Sequence, residues 1–255
     1  MPVPDTHTIL ITGAGSGVGR GLTLHFAATG HRVLATDKCA ESAKATAAEA
    51  GAQVTGLELD VSSQAHIAAF GDRLDGRHVD VLINNAGLQH VAPLEEFPPE
   101  KWGQLIDVML KGSAAMTRLV LPGMRQHNFG RIVNIGSIHS LVASPFKTAY
   151  TAAKTGLLGF SRVVALETAD VDITINTVCP AYIRTPLVDK QIHDQALEHG
   201  IPEAEVVEKI MLEPMPKKAF ITVEEVAAAI EYLISPAARN MTGQSLVLDG
   251  GWTCR

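Results

Sequence analysis

Positive charge is in short supply in this chain and never gathers. Its 255 residues include 21 Lys and Arg against 27 Asp and Glu, a formal net charge of −6, and the basic residues stand scattered rather than in blocks. A groove for nucleic acid needs a basic stripe, so nucleic acid is not expected as a partner. Long apolar runs are missing as well. Nothing approaches the ~20 residues that span a bilayer, and the opening Met1-Pro2-Val3-Pro4-Asp5 lacks a basic segment leading into an apolar one. No membrane association is expected, and the expected location is cytoplasmic. Cysteine is rare: Cys39, Cys179 and Cys254 are odd in number, far apart, and without metal-ligand spacing or a histidine close in sequence. That argues against a disulfide framework or a metal site and fits ordinary thiols in a reducing compartment. Linkers, internal repeats and low-complexity segments are also absent. With 46% hydrophobic residues, 1–255 is read as one large domain with a substantial core.

What is present is an alternation. Apolar, β-branched runs at 8–11, 32–36, 53–59, 79–84, 131–135, 173–178 and 245–248 have helical segments between them. Such strands are apolar on both faces, as a parallel sheet covered by helices on both sides requires. The expected fold is therefore α/β, a single doubly wound, Rossmann-type parallel sheet of about seven strands, with ligands beyond the carboxyl ends of the strands. A long helix is expected over 98–126, with Pro122 ending or kinking it, and another over 148–168. Residues 186–216 are helical in pattern but polar, interrupted by Gly200 and Pro202. They read as a mobile lid over the site.

Immediately after the first strand comes Thr12-Gly13-Ala14-Gly15-Ser16-Gly17-Val18-Gly19, with Leu22 and Phe26 at helical spacing from Val18. The frame is Gly-x-x-x-Gly-x-Gly on Gly13, Gly17 and Gly19, and it does not satisfy G-x-G-x-x-G. Its place between a strand and a helix nevertheless suits a pyrophosphate, which glycines let the backbone approach and a helix N-terminus favours. Asp37 ends the second apolar run, eighteen residues after Gly19. A carboxylate there accepts hydrogen bonds from both adenosine ribose hydroxyls and repels a 2′-phosphate. With Ser16, rather than a basic residue, in the loop, the expected cofactor is NAD rather than NADP; Lys38 is the complicating neighbour. The plainer alternative for Asp37 is a helix cap before Cys39 and Ala40.

Tyr150 and Lys154 lie four residues apart, on one face of the expected helix. A phenol titrating near ~10 exchanges protons poorly at neutrality unless a cation stabilises its anion, and Lys154 can be that cation. By itself the pair is also compatible with a solvated helix face.

The glycine frame, Asp60-Val61 after the third strand, Asn84-Asn85-Ala86-Gly87 at the fourth, Ser137 after the fifth, and Tyr150/Lys154 occur in one order along nearly the whole chain. In this the chain resembles the short-chain dehydrogenases/reductases. The resemblance implies that Ser137, Tyr150 and Lys154 do the chemistry and that no metal is used. It implies that Gly13, Ser16, Gly17, Val18, Gly19, Asp37, Asp60, Val61, Asn85, Ala86, Gly87, Pro180, Ile183 and Thr185 hold the cofactor together with Tyr150 and Lys154. It also implies a homotetramer built on the two long helices and the C-terminal region. Where many members carry an asparagine that holds a relay water, in an Asn-Leu-x-Gly run, this chain has Met109-Leu110-Lys111-Gly112. A thioether cannot hold water as an amide does, and a main-chain carbonyl is expected to take over.

Within the family, segments 88–95, 137–144, 185–192 and 249–252 are most similar to the D-3-hydroxybutyrate dehydrogenase branch. The implied reaction is the NAD-dependent interconversion of (R)-3-hydroxybutyrate and acetoacetate. Gln89, His139 and Gln191 would supply hydrogen bonds, Lys147 the carboxylate's counter-charge, and Trp252 an aromatic wall, around Ser137 and Tyr150. Tyr182 stands where that branch often has tryptophan, and Ala181 where glycine is usual. Taken singly, Lys147 also reads as a solvated lysine, His139 as a satisfied loop histidine and Trp252 as an anchor for the C-terminus. Three rivals remain: an acetoacetyl-CoA or other 3-oxoacyl reductase, a haloalcohol-lyase-like enzyme, and a non-catalytic NAD-binding scaffold. The second predicts an arginine at 154 and a broken glycine turn, neither of which occurs.

Overall fold

Alternation of apolar side chains along each strand sets the layers of the fold, because successive residues of a strand face opposite sides of a sheet. The computed structural model describes residues 6–74 and 76–254, so the opening residues 1–5 lie outside the described residues. Along the chain run β1 (Thr8–Thr12), α1 (Gly17–Ala28), β2 (Arg32–Asp37), α2 (Ala40–Ala50), β3 (Val54–Glu58), α3 (Gln64–Leu74), β4 (Val81–Asn84), α4 (Pro99–Ile106), α5 (Gly112–His127), β5 (Gly130–Ile135), α6 (Thr148–Glu167), β6 (Ile173–Pro180), α7 (Pro186–His199), α8 (Glu203–Val206), α9 (Val223–Ile234) and β7 (Ser245–Leu248). The seven strands form one parallel sheet in the order β3-β2-β1-β4-β5-β6-β7. Ile9, Ile11, Val81, Ile83 and Val133 pack on one face against Leu22 and Phe26 of α1 and Val226, Ala227 and Ile230 of α9. Leu10, Leu82 and Ile132 pack on the other against Ile67 and Phe70 of α3, Met116, Val120 and Met124 of α5, and Val164 of α6. This is the expected doubly wound architecture. Its strand order reverses between β1 and β4, which opens a crevice at their carboxyl ends.

Boundaries differ from the sequence expectation in instructive places. The run at 53–59 contributes only Val54–Glu58 to the sheet, where it is an edge strand, and the run at 79–84 begins to pair only at Val81. At the other side β6 continues to Pro180, which is opposite Leu248 of β7. The helix expected over 98–126 is three pieces: α4, a wide π turn at Asp107–Lys111, and α5. Pro122 does not end it. Helix α5 runs on to His127 and closes at Asn128, in the left-handed region at φ 51°. Pro122 and Arg118, whose carbonyl loses its partner, are both exposed, so water can satisfy the carbonyl. In the segment 186–216, Gly200 ends α7 at φ 64° and Pro202 precedes α8, as the interruptions predicted. Val188, Ile192, Val206 and Met211 form a small apolar cluster of their own there.

Histidines collect at the amino ends of the strands, opposite the crevice. His7 stacks on His31 and Phe129 at 5.5 and 5.3 Å, and its main-chain N–H donates to His31 Nδ1 at 3.1 Å. His78 stacks on His127 at 3.8 Å. Burial holds His7, His31 and His78 below the ordinary histidine value, with Asp80 opposing the shift at His7 and His78 and Glu231 at His31. The folded state therefore prefers the neutral rings. Their contribution to stability is complete above the unfolded value of about 6.5 and is lost as pH falls below it. Thermal melts should show the midpoint declining as pH falls below ~6.5, and His31→Asn, which keeps an acceptor that does not titrate, should make the decline shallower.

Candidate active site

The turn after β1 owes its shape to contacts that leave no room for a side chain. Gly13 has φ 65°, and a Cβ there would lie 2.8 Å from the Ala86 Cα. Gly17, at φ 52°, opens α1, and Ser16 before it makes no side-chain cap. The first N–H groups of α1 thus point into the crevice as donors for an anion. Gly19 is buried beneath the turn rather than on the crevice wall: a Cβ would stand 2.2 Å from the Gly13 carbonyl oxygen and 2.4 Å from Asn85 Nδ2. Asn85 is committed to the protein itself. Its Nδ2 donates to the Thr12 and Gly13 carbonyls at 2.9 and 3.1 Å, and the Asn85 and Ala86 N–H groups both donate to Thr12 Oγ1 at 3.1 Å.

Asp37 closes β2, and its two oxygens accept from Gly15 N and Cys39 N, each at 3.0 Å. The capping alternative is thus partly realised, since Cys39 is the residue before α2, while the carboxylate still faces the crevice. Asp60 is held below the usual carboxylate range, chiefly by the Ser62 hydroxyl at 2.6 Å. A cavity of about 470 Å³ extends from Asp37 and Asp60 past Gly13, Ser16, Gly17 and Val18, along Val61, Ala86, Gly87, Pro180, Ile183 and Thr185, to Gln191. These residues fit a dinucleotide: a turn in which Gly13 and Gly15 admit no Cβ and Gly17 holds a positive φ, uncapped helix N–H groups, and a carboxylate where a ribose would lie.

At the carboxyl end of β5, Ser137 takes an extended conformation and caps the 3₁₀ turn Ile138–Ser140, its Oγ accepting from His139 N at 3.1 Å. That leaves its proton free, and the Ser137 hydroxyl acts on the phenol of Tyr150 to lower its value. Helix α6 places Tyr150 on the cavity wall and Lys154 one turn on, buried, with Nζ donating to the Ile135 carbonyl at 2.6 Å and 5.7 Å from the Tyr150 ring centre. The tyrosine is not depressed as the pairing predicted. Burial pushes it above its ordinary value, and the Ser137 hydrogen bond opposes the rise. Burial also draws Lys154 down to about 8, so the ammonium is itself only moderately stable there.

At the far end of the same cavity, Lys147 Nζ donates to His139 Nε2 at 3.2 Å and to the Tyr182 hydroxyl at 3.3 Å. Burial and the Lys147 charge hold His139 down to about 4, so the ring is neutral and its proton is placed on Nδ1 by the bond that Nε2 accepts. Lys147 is likewise lowered by burial. It is not a solvated lysine. Gln89 and Gln191 line the cavity beside this group. Trp252 does not line it but stands behind, 6.0 Å from the Tyr182 ring centre and edge-on to His139 at 5.8 Å. Met109 is buried with Phe97, Leu105, Ala149 and Ala153, inside the π turn between α4 and α5. Its carbonyl accepts from the Ser113 hydroxyl at 2.8 Å. Sequence reasoning missed the Ile135 carbonyl, Leu88 and Gln104 on the wall. A carbonyl has no signature in a sequence, and the other two follow only from the path of the chain after β4.

A family profile for short chain dehydrogenase matches residues 7–196. The chain belongs to the short-chain dehydrogenase family, and is an oxidoreductase of that family. It is similar to the D-beta-hydroxybutyrate dehydrogenase of Rhizobium meliloti, 41% identical over 98% of this chain and 100% of that protein. The D-beta-hydroxybutyrate dehydrogenase of Cupriavidus necator is 40% identical over 97% and 98%. A 3-oxoacyl-[acyl-carrier-protein] reductase of Thermotoga maritima is 34% identical over 95% and 96%. Among the described residues no helix is long and apolar enough to cross a membrane, and no group of side chains is arranged to hold a metal ion.

The packing beneath the glycine turn yields a test. Gly19→Ala should destabilise the fold by about 3 kcal/mol, the upper range for overpacking, because the added carbon meets main-chain atoms that cannot step aside. Denaturant melts of this variant should show that loss, whereas Ser16→Ala, at a residue without a side-chain cap, should leave stability unchanged.

Proposed function

We propose that this chain is an NAD-dependent dehydrogenase interconverting (R)-3-hydroxybutyrate and acetoacetate, with Tyr150 as general acid/base. The observation that carries the reading is the placement of the Lys147 ammonium, between His139 and Tyr182, in the same cavity as Ser137 and Tyr150. A short hydroxy acid has a carboxylate at one end and a reacting carbon two atoms away. Lys147, with Gln89 and Gln191, would take the carboxylate, and the reacting oxygen would then lie toward Ser137 and Tyr150. Similarity to two D-beta-hydroxybutyrate dehydrogenases supports the same substrate.

The residues divide the work by their chemistry. Ser137 donates to the reacting oxygen and orients it. Tyr150 takes the alcohol proton on oxidation and returns it on reduction. Lys154 keeps positive charge beside the phenolate as it forms, from a site fixed by the Ile135 carbonyl. Glycines 13 and 17 with the first turn of α1 would hold the pyrophosphate, Asp37 the adenosine ribose, Asp60 and Val61 the adenine, and Pro180, Ile183 and Thr185 the nicotinamide end. When bound, NAD accepts and NADH donates the hydride. Asp37 opposes a 2′-phosphate, which favours NAD over NADP. The segment 186–216 acts as a lid. Exposed Val163 and Leu166 on α6 support a homotetramer, measurable by light scattering; the proposed location is the cytoplasm.

Purified protein with NAD should form NADH, followed by its absorbance, from (R)- but not (S)-3-hydroxybutyrate, and poorly with NADP. Removing one charge-assisted hydrogen bond costs about 1.5–3 kcal/mol, so Lys147→Ala should lower kcat/KM on the R acid roughly 10- to 100-fold, mainly through KM. Turnover of acetoacetyl-CoA that ignores Lys147→Ala, without turnover of the free acid, would move the assignment to the 3-oxoacyl reductases.

The direction of the Tyr150 shift fixes the pH dependence. Oxidation uses the phenolate and reduction the phenol, and the phenol lies above its ordinary value. Oxidation rates should climb into the alkaline range and level off as Lys154, drawn down to about 8, loses its proton, while reduction rates fall at its upper end, and Tyr150→Phe should lose about 100- to 10,000-fold in both directions.

A further inference from the structure

Beneath Ser137, Tyr150 and Lys154 lies a buried thiol that the proposed chemistry does not use. Cys179, the penultimate residue of β6, is fully buried, and Ser140, at the end of the 3₁₀ turn, is buried beside it. Ser140 joins this thiol to Ser137. Its Oγ accepts from Ser137 N at 3.2 Å and its own N–H donates to the Ser137 carbonyl at 2.8 Å, while burial raises the Cys179 thiol and the neighbouring Ser140 hydroxyl and Ser137 N–H oppose that rise.

Nothing around this pair can yield. A Cβ on Gly136 would lie 2.7 Å from Thr177 Cγ2, 2.9 Å from Cys179 Sγ and 3.1 Å from Ser140 Oγ. On the outer side the Thr155 hydroxyl of α6 donates to the Ser140 carbonyl at 3.4 Å, and the Gly136 N–H donates to the Val178 carbonyl at 2.7 Å. The main chain on both sides of Ser137 is thereby tied to β6 and α6, the two elements that carry Cys179 and Tyr150. An alanine at 140 would take away the hydroxyl oxygen that accepts from the Ser137 N–H and would free the main chain that sets the direction of the Ser137 hydroxyl.

We propose that Ser140, backed by Cys179, is a positioning residue that aims the Ser137 hydroxyl at the Tyr150 oxygen. The proposal rests on the reading of Ser137 and Tyr150 as the reacting pair, but not on the identity of the alcohol. Its consequence is a phenolate better stabilised in the intact chain than in one lacking the Ser140 hydroxyl.

The chain has three tyrosines, Tyr150, Tyr182 and Tyr232, so ring-carbon NMR of labelled protein can follow Tyr150 alone, with Tyr150→Phe assigning it. The charged and titratable groups facing Tyr150 are Lys154, Lys147, His139, Tyr182 and Cys179, and Ser140→Ala keeps them all. In Ser140→Ala the Tyr150 midpoint should rise by about half a unit or more. Turnover of 3-hydroxybutyrate should fall about tenfold in kcat, within the reach of a misdirected proton donor, with KM and NADH binding unchanged. Cys179→Ser, which keeps an acceptor for the Ser140 hydroxyl, should retain the wild-type midpoint, and Cys179→Ala should shift it in the same direction as Ser140→Ala. Should Ser140→Ala fail to fold, Cys179→Ala against Cys179→Ser carries the comparison. A Tyr150 midpoint that stays in place overturns the proposal, even when kcat falls, because loosened packing alone would then explain the loss. Absence of hydroxybutyrate turnover in the wild type overturns the substrate reading instead, and the Tyr150 titration still decides the role of Ser140.

Discussion

Two hydrogen bonds from one buried-side amide hold the crevice at its working width. Asn85, just past β4, reaches across the point where the strand order reverses and binds the carbonyls of Thr12 and Gly13. The Thr12 hydroxyl returns the tie to the main chain of 85 and 86. Strands β1 and β4 belong to opposite halves of the sheet, so these bonds fix the separation of everything carried on either side. The glycine turn and Asp37 stand on one side, and Ser137, Tyr150 and Lys154 on the other. Gly19 is small because the Asn85 amide and the Gly13 carbonyl occupy its Cβ space.

Charge in the crevice is arranged in two separate places. Lys154 stands beside the phenol and Lys147 stands among neutral partners, one of them a histidine held at about 4. Both ammonium groups are lowered by burial. A buried cation without a countercharge is a poor contributor to folding and a strong attractor for an anion. Lys147 is held by His139 and Tyr182 and Lys154 by the Ile135 carbonyl, all neutral, an arrangement that suits a site whose negative charges arrive with the ligand and form during the reaction.

Much of this was legible in the sequence, for reasons that differ from residue to residue. The alternation of apolar runs gave the sheet because parallel strands buried on both faces leave no other pattern. The glycine turn, Asp37, Ser137, Tyr150 and Lys154 could be found because each does a task that few residue types can do. The Tyr150 shift could not be read from the Tyr/Lys spacing, since it depends on how much protein surrounds the phenol. Gly19 was placed among the cofactor contacts, yet it lies beneath the turn, and Asn85, which lines the cavity, also ties the turn together through its Nδ2, a distinction that only three-dimensional neighbours can make. The π turn at Asp107–Lys111 has no local signal, and Pro122 does not end the helix because its lost hydrogen bond lies on the water side of α5.

The apolar cluster of Val188, Ile192, Val206 and Met211 is separate from the two clusters that line the sheet. Tyr182 packs against it from the cavity side. Tyr182, Val207 and Phe220 pack against this cluster and against the sheet core as well, so a change in the cluster is felt at the cavity wall and, through them, at the sheet. The shape of that wall is therefore set by three shared side chains that couple the segment after β6 to the strands beneath it.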